Sequence, residues 1–206
     1  GYAYDEDWTY DGFHPWGYTS FDAYYRDVDT NTVELRFVSG DQWRLFNDTT
    51  SWVIGSRVKN NKEDLLRQYT YADGDFVSQY QPITQAVYGQ LESQLTNDLL
   101  LTFALRAENY DFSYGDNAGL NGEHDSTMLG GKLALSYQLG QQLVYASVSR
   151  GYKGAGINPD QNVSTDNRFY DEEYNWNYEI GMKGRLADQL TSRVAFFIMK
   201  REDTQV

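Results

Sequence analysis

Strict alternation of apolar and polar side chains is the feature that most constrains the fold of this 206-residue chain. Between Leu129 and Leu139, the odd positions hold four leucines, one tyrosine and one glycine, whereas the even positions include Lys132 and Ser136. Segments 99–108, 175–186 and 190–199 alternate in the same way. A helical period would place Glu179 and Lys183 on an apolar stripe, so these segments are predicted to be strands of about ten residues with one apolar face.

Weaker alternation in segments 1–7, 31–39, 52–59, 83–95 and 143–150 brings the total to about nine strands. Short turns are expected at 40–41, 96–98, 140–141 and 187–189, and long connections at 8–29, 72–80, 113–125 and 151–173. The fold class predicted is therefore all-β, an antiparallel meander with its long loops at one end. Segment 59–67 is too polar for membrane depth, so the strand there is expected to extend beyond a bilayer.

The length of the strands favours a membrane barrel over a soluble sheet. Ten residues at roughly 3.3 Å each, tilted by about 40°, rise about 25 Å, which is the height of the apolar band of an outer-membrane barrel. Strands of soluble sandwiches are usually nearer five or six residues. A soluble β-fold stays open as the alternative at this point.

The composition excludes several classes of function. The net charge of −13 argues against a nucleic-acid partner, since nucleic-acid binding requires a basic surface. The chain has no cysteine, which excludes a disulfide framework, a thiol nucleophile and a cysteine-based zinc site.

Several segments resemble a known family in their order and spacing. Segment 143–159 reads LVYASVSRGYKGAGINP, and segment 176–186 reads WNYEIGMKGRL. The first is similar to a characteristic stretch in the barrels of TonB-dependent outer-membrane receptors, and the second to the Trp/Tyr-Glu-x-Gly-x-Lys strand that follows it. Segments 86–91 and 105–108 also resemble strands of that family. The resemblance covers most of residues 80–206, and residues 1–79 fit in pattern alone.

The resemblance implies a barrel of about 22 strands, plugged by an N-terminal domain, in the outer membrane of a Gram-negative bacterium. Such receptors import ferric siderophores, cobalamin, haem or sugars with energy from the TonB complex. This chain shows no plug, TonB-contacting segment or terminal aromatic strand. We therefore expect residues 1–206 to be a partial barrel domain, truncated at both ends, whose parent contacts outer-membrane lipid and reaches TonB through the plug. We also expect the isolated fragment to self-associate through its apolar face.

Two groups of residues are candidates for the binding site. Aromatic side chains of the first loop, which suit stacking on a chelate or sugar, form the first group: Trp8, Tyr10, Phe13, Trp16, Tyr18 and Tyr24. The alternative for these rings is that they fold over one another for rigidity. Charged residues expected to face the lumen form the second group: Arg36, Arg106, Glu108, Lys132, Glu179, Lys183 and Arg185. They serve either an anionic ligand or, as we prefer, ion pairs with Glu92, Glu108 and Glu179.

Other motifs carry no chemistry in this interpretation. Gly151 to Gly156 does not open a helix, as a phosphate-binding loop must. His14 and His124 have no metal-ligand neighbour at useful spacing, and 111–125 lacks the register of a calcium loop. We therefore predict no catalytic residues, no metal and no cofactor. The parent is predicted to be a receptor for an iron–siderophore or similar small molecule, not an enzyme. The rivals are a secreted carbohydrate-binding β-module and an outer-membrane lipase.

Overall fold

The computed structural model describes residues 2–6, 21–160, 163–164, 167–187 and 190–205, with the backbone alone for 2–6 and 186–187. Nine strands form one sheet: β1 (Tyr2–Glu6), β2 (Asp22–Val38), β3 (Thr50–Tyr69), β4 (Phe76–Gln94), β5 (Leu99–Asp116), β6 (Asn121–Leu139), β7 (Gln142–Lys153), β10 (Glu173–Ala187) and β11 (Leu190–Glu202). A small second sheet pairs β8 (Gly156–Ile157) with β9 (Phe169–Tyr170). A short 3-10 helix spans Asp41–Trp43.

The nine strands follow one another in chain order, and each pairs antiparallel with its neighbours. The predicted all-β meander of about nine strands is therefore confirmed. The part of the chain that the structure describes contains no helix that is long and apolar enough to cross a membrane.

The register gives the sheet one apolar and one polar face, because side chains alternate with a period of two. On the apolar face Val33 pairs with Val58, and across the sheet Ile180 pairs with Phe196. Val33, Phe196 and Ile198 are 72–74% exposed. An apolar surface that faces no other part of the described protein is what a lipid-facing wall requires.

We call the end of the sheet that carries connections 70–75, 117–120 and 154–172 the distal end. Strand β3 continues from Val58 to Tyr69 beyond the last valine of the apolar face, which is roughly 35 Å of further strand. The polar segment 59–67 is therefore a continuation of the strand, and its extension beyond a bilayer stays a prediction.

Four predicted connections differ from the structure. Strand β2 begins at Asp22 and β4 at Phe76, so residues 22–29 and 76–80, which were predicted to lie in long connections, are strand. Residues 113–125 are not a long loop: β5 and β6 pair as far as Gly115 and Asn121, which leaves a turn at 117–120. The connection between β2 and β3 is longer than a turn at 40–41, since it runs from 39 to 49. It closes with a bridge from Leu45 to Thr50, and Phe46, Asn47 and Asp48 have left-handed φ angles of 53–64°.

A small hydrophobic core lies on the polar face near the distal end. It consists of Phe112, Tyr114, Leu120 and Ala155, with the ring of Phe169 packed against it. Ala155 and Phe169 belong to connection 154–172, so this connection folds back over β5 and β6. Elsewhere the described part of the chain forms a single layer, which is held together by the hydrogen bonds between strands.

Candidate functional site

The polar face carries all seven charged residues that the sequence places toward the lumen. The paired positions connect them from strand to strand: Arg36 opposes Gly55, Gly55 opposes Tyr88, and Tyr88 opposes Arg106. The same alternation continues through β6, β7 and β10. The residues on this face are Arg36, Arg106, Glu108, Lys132, Glu179, Lys183 and Arg185.

Tyrosine side chains on this face lie over a glycine of the neighbouring strand and reach a glutamate. Tyr88 is paired with Gly55, where an added Cβ atom would come within 2.5 Å of the Tyr88 ring. The Tyr88 hydroxyl donates a hydrogen bond to Glu34. Any side chain at position 55 would displace the Tyr88 ring from this position.

The same arrangement recurs twice across the sheet. Tyr145 lies over Gly181 and donates to Glu179 Oε1 at 2.6 Å. Tyr152 lies over Gly130 and accepts from Arg106 Nε at 2.9 Å. These units fix tyrosine and glutamate side chains in one layer across the polar face.

Ion pairing on this face is sparser than expected. Arg106 pairs with Glu108 on its own strand, whereas Glu179 is held by a tyrosine. Within the described residues, the other four cations of the set form no ion pair: Arg36, Lys132, Lys183 and Arg185. The polar face therefore retains positive charge that no side chain of the described part neutralises.

A concave pocket of about 980 Å³ opens at the distal end, beyond the apolar band. Its wall includes Tyr24, Arg67, Tyr69 and Tyr71, and Pro159 of connection 154–172 borders it. This volume lies at the upper end of the range for small-molecule sites.

Arg67 organises this pocket. Its Nε and Nη2 atoms donate to the two carboxylate oxygens of Asp22 at 2.7 and 2.6 Å. Its guanidinium carbon lies 5.0 Å from the ring centroid of Tyr24 and 5.2 Å from that of Tyr69. The bidentate pair fixes the plane of the guanidinium, and the cation–π contacts hold both rings beside it. The hydrogen bonds from Arg67 lower the pKa of the Asp22 carboxyl, so this carboxyl stays ionised at neutral pH.

A second pocket of about 490 Å³ lies beside it. Tyr80, Tyr110 and Tyr114 line one side of this pocket, and connection 154–172 lines the other. The hydroxyls of Tyr80 and Tyr110 are hydrogen-bonded to each other. Burial raises the pKa of Tyr114 to about 12 and also raises the pKa of Tyr80. These tyrosines therefore present neutral hydroxyl groups, not phenolates, to anything in the pocket.

The predicted first-loop residues are only partly covered by the described structure. Trp8, Tyr10, Phe13, Trp16 and Tyr18 lie outside the described residues. Tyr24 lies in the larger pocket, on the polar face of β2. Arg67, Tyr69 and Tyr71 are not among the predicted site residues; they share one parity at the end of β3 and in the connection that follows it.

The TonB dependent receptor-like beta-barrel family matches residues 1–206, which is the whole chain. The chain belongs to the TonB-dependent receptor family. This places it in the outer membrane of a Gram-negative bacterium, and the family and its fold are those of transport receptors. The distal end is then the extracellular end, since barrels of this kind have longer loops outside and short periplasmic turns.

Relatives of known identity agree with this assignment. A ferric-pyoverdine 358 receptor of Pseudomonas putida is 31% identical over 116 residues, which cover 53% of this chain and 14% of that protein. The crystal structure of the ferric yersiniabactin uptake receptor FyuA of Yersinia pestis superposes with a TM-score of 0.75 at 23% identity, covering 91% of this chain and 30% of FyuA. The alcaligin outer-membrane receptor FauA of Bordetella pertussis gives a TM-score of 0.64 at 16% identity, covering 88% of this chain and 30% of FauA. The chain thus spans less than a third of the TonB-dependent receptors it matches here.

Proposed function

We propose that the protein containing this chain is an outer-membrane receptor that binds a ferric siderophore and imports it with energy from TonB. The observation that carries the proposal is the family match over all 206 residues. The choice of ligand is supported by the relatives, which are a ferric-pyoverdine receptor, a ferric yersiniabactin uptake receptor and an alcaligin receptor.

Residues 1–206 are, in this proposal, a segment of a barrel wall of about 22 strands. The support is the small share of each relative that the chain covers, together with a sheet in which β1 and β11 each pair with one strand among the described residues. The partners proposed for the parent are outer-membrane lipid along the apolar face and the TonB complex through a plug domain. An isolated fragment would expose both strand edges and the apolar face, which favours self-association.

The ligand site is proposed to lie at the extracellular end of the polar face. There the pocket around Arg67 offers aromatic rings and a guanidinium, and the first-loop residues Trp8, Tyr10, Phe13, Trp16 and Tyr18 are proposed to complete it. A ferric chelate presents flat ligand groups and anionic oxygens, which these side chains bind by stacking and by charge-assisted hydrogen bonds. The unpaired cations of the polar face, such as Arg36 and Lys132, are proposed to lie along the route of an anionic chelate through the barrel.

A rival function as a secreted carbohydrate-binding module is not favoured. The exposed apolar face needs lipid, and a soluble module would bury such a surface. No catalytic residue, metal or cofactor is assigned to the uptake activity; this remains a prediction.

A deletion strain of the source bacterium tests the function directly. We expect it to lose growth under iron limitation with one ferric siderophore of a panel, because that complex no longer crosses the outer membrane. The intact gene restores growth, and the empty vector does not. Growth with soluble ferrous iron is the matched control, since small ions cross by other routes.

Growth of the deletion strain on every siderophore of the panel would overturn the iron assignment. The same strain would then be tested for growth on cobalamin and on large sugars. Loss on one of these would keep the receptor function and replace its ligand.

A further inference from the structure

His124 occupies an unusual position for a histidine on a barrel wall. It lies on the polar face of β6, paired with Phe112, and the two rings stack with centroids 5.8 Å apart. Its Nε2 atom is excluded from solvent and has no hydrogen-bond partner among the described residues. An imidazole nitrogen without a partner in such a place is costly unless something binds it.

Two carboxylates come to this histidine from connection 154–172. One ligand atom each of His124, Asp171 and Glu172 lies within 4.8 Å of the others. Glu172 accepts a hydrogen bond of 3.4 Å from the Tyr174 hydroxyl. Within the described residues, neither carboxylate forms an ion pair. Two negative charges thus lie beside this imidazole without an ion-pair partner among the described residues.

We propose that His124, Asp171 and Glu172 bind one divalent transition-metal ion of the Zn²⁺ class. Imidazole and carboxylate are ligands that Zn²⁺ accepts, and three protein ligands leave a fourth position for water. Ligand distances of about 2.0–2.2 Å place the donors of a tetrahedral site roughly 3.4 Å apart. Since the donor atoms lie within 4.8 Å of one another, binding requires them to approach by no more than about 1.4 Å.

The consequence is a clamp between connection 154–172 and the barrel wall. His124 is fixed in a long strand, whereas both carboxylates belong to the segment that follows β9. Connection 154–172, to which both carboxylates belong, also supplies Gly154, Ala155 and Tyr170 to the wall of the 490 Å³ pocket. Metal binding would fix the width of this pocket, an effect separate from recognition of an iron chelate.

The test uses the complete receptor, purified in detergent and freed of metal with a chelator. Titration with ZnCl₂ is expected to show one ion bound per chain. Binding of Co²⁺ in its place is expected to give visible absorption bands typical of nitrogen and oxygen ligands. In the double variant Asp171→Asn/Glu172→Gln, we expect zinc affinity to fall by at least about 10–100-fold, since changes even in residues behind the ligands cost that much.

A matched control removes the same charge from the same neighbourhood. Glu123 and Asp125 flank His124 on β6, but their side chains lie on the opposite face of the sheet. The variant Glu123→Gln/Asp125→Asn is therefore expected to bind zinc as the unmodified receptor does. His124→Gln is expected to lose the Co²⁺ spectrum; if it fails to fold, the variant in Asp171 and Glu172 still decides the question.

The proposal is overturned if the receptor binds no zinc. It is also overturned if the two double variants lose affinity equally, which would reveal attraction by general negative charge. These outcomes are independent of the growth assay, because zinc binding is measured on purified receptor without any siderophore.

Discussion

Arg67 is the residue on which the geometry of the extracellular pocket depends. It holds Asp22 through two hydrogen bonds and two tyrosine rings through its charge, so its removal releases three side chains together. We predict that Arg67→Ala lowers the affinity of the complete receptor for its ferric siderophore by about tenfold, which corresponds to about 1.4 kcal/mol. The measurement is a binding isotherm on whole cells with the siderophore that the growth assay identifies.

Arg44→Ala is the matched control, because Arg44 lies in the connection at the periplasmic end and pairs with the exposed Asp41. We expect its affinity to equal that of the unmodified receptor.

The pair of Arg67 and Asp22 forms fully above the usual carboxyl pKa of about 4 and is lost only as the pH falls through the lowered pKa of Asp22. The tenfold difference should therefore persist at pH 5; equal affinities of the two variants would remove Arg67 from the site.

Sequence reasoning reached some of these residues and missed others for identifiable reasons. Tyr24 stands out because its segment is rich in aromatic residues. Arg67 and Tyr69 lie where both faces of β3 meet water, so no apolar alternation shows which side chains face the inside of the barrel. Their i, i+2 spacing was the available signal. Asp171 lies far from His124 in sequence, and only the fold of connection 154–172 brings them together.

At the scale of the element, apolar–polar alternation predicts a strand where one face meets lipid. It does not predict the part of a strand beyond the membrane, because both faces meet water there. Strands β4, β10 and β11 were found from apolar parity alone. The prediction of a long loop at 113–125 is wrong; Asp111 and Asp125, which are paired across β5 and β6, make the outer face polar there, so apolar alternation does not mark the strand. Phe112 and Tyr114 lie at alternate positions on the same face as Glu108, and this alternation is the sequence signal that β5 continues.

The tyrosine–glycine–glutamate units are features of paired strands, and Gly181 tests them. A Cβ atom at this position would come within 2.6 Å of the Tyr145 ring, so Gly181→Ala must displace the ring from Glu179. We predict a loss of about 1–3 kcal/mol in the free energy of unfolding of the complete barrel, from crowding and from the lost hydrogen bond. Guanidinium unfolding in phospholipid vesicles, followed by tryptophan fluorescence, measures it.

Gly151→Ala serves as the control, since an added Cβ atom there meets nothing within 4 Å. Tyr145→Phe removes the hydroxyl that reaches Glu179 without adding volume. We expect Gly151→Ala to be nearly neutral and Tyr145→Phe to lose part of what Gly181→Ala loses. If Gly151→Ala costs as much as Gly181→Ala, the effect arises from backbone stiffness and not from the ring.

For the whole molecule, the strand order and the division of the sheet into two faces follow from the sequence. The closure of the sheet into a barrel does not. Each strand specifies its own neighbours through parity and turns, whereas these residues do not specify how many strands the complete barrel contains. The number of about 22 strands therefore comes from the family resemblance and remains a proposal. What the chain itself determines is which face meets lipid.

That assignment of faces makes opposite predictions for two nearby positions of β5. Leu105 lies on the apolar face, 47% exposed, between Gly89 and Gly131, whereas Thr102 lies on the polar face opposite Glu92. We predict that Leu105→Arg destabilises the complete barrel by about 2–4 kcal/mol in phospholipid vesicles, because the guanidinium is forced into hydrocarbon. Thr102→Arg should cost less than about 1 kcal/mol, since its charge meets water and the Glu92 carboxylate. The measurement is guanidinium unfolding of both variants in the same vesicles, and a larger loss for Thr102→Arg would mean that the two faces are assigned the wrong way round.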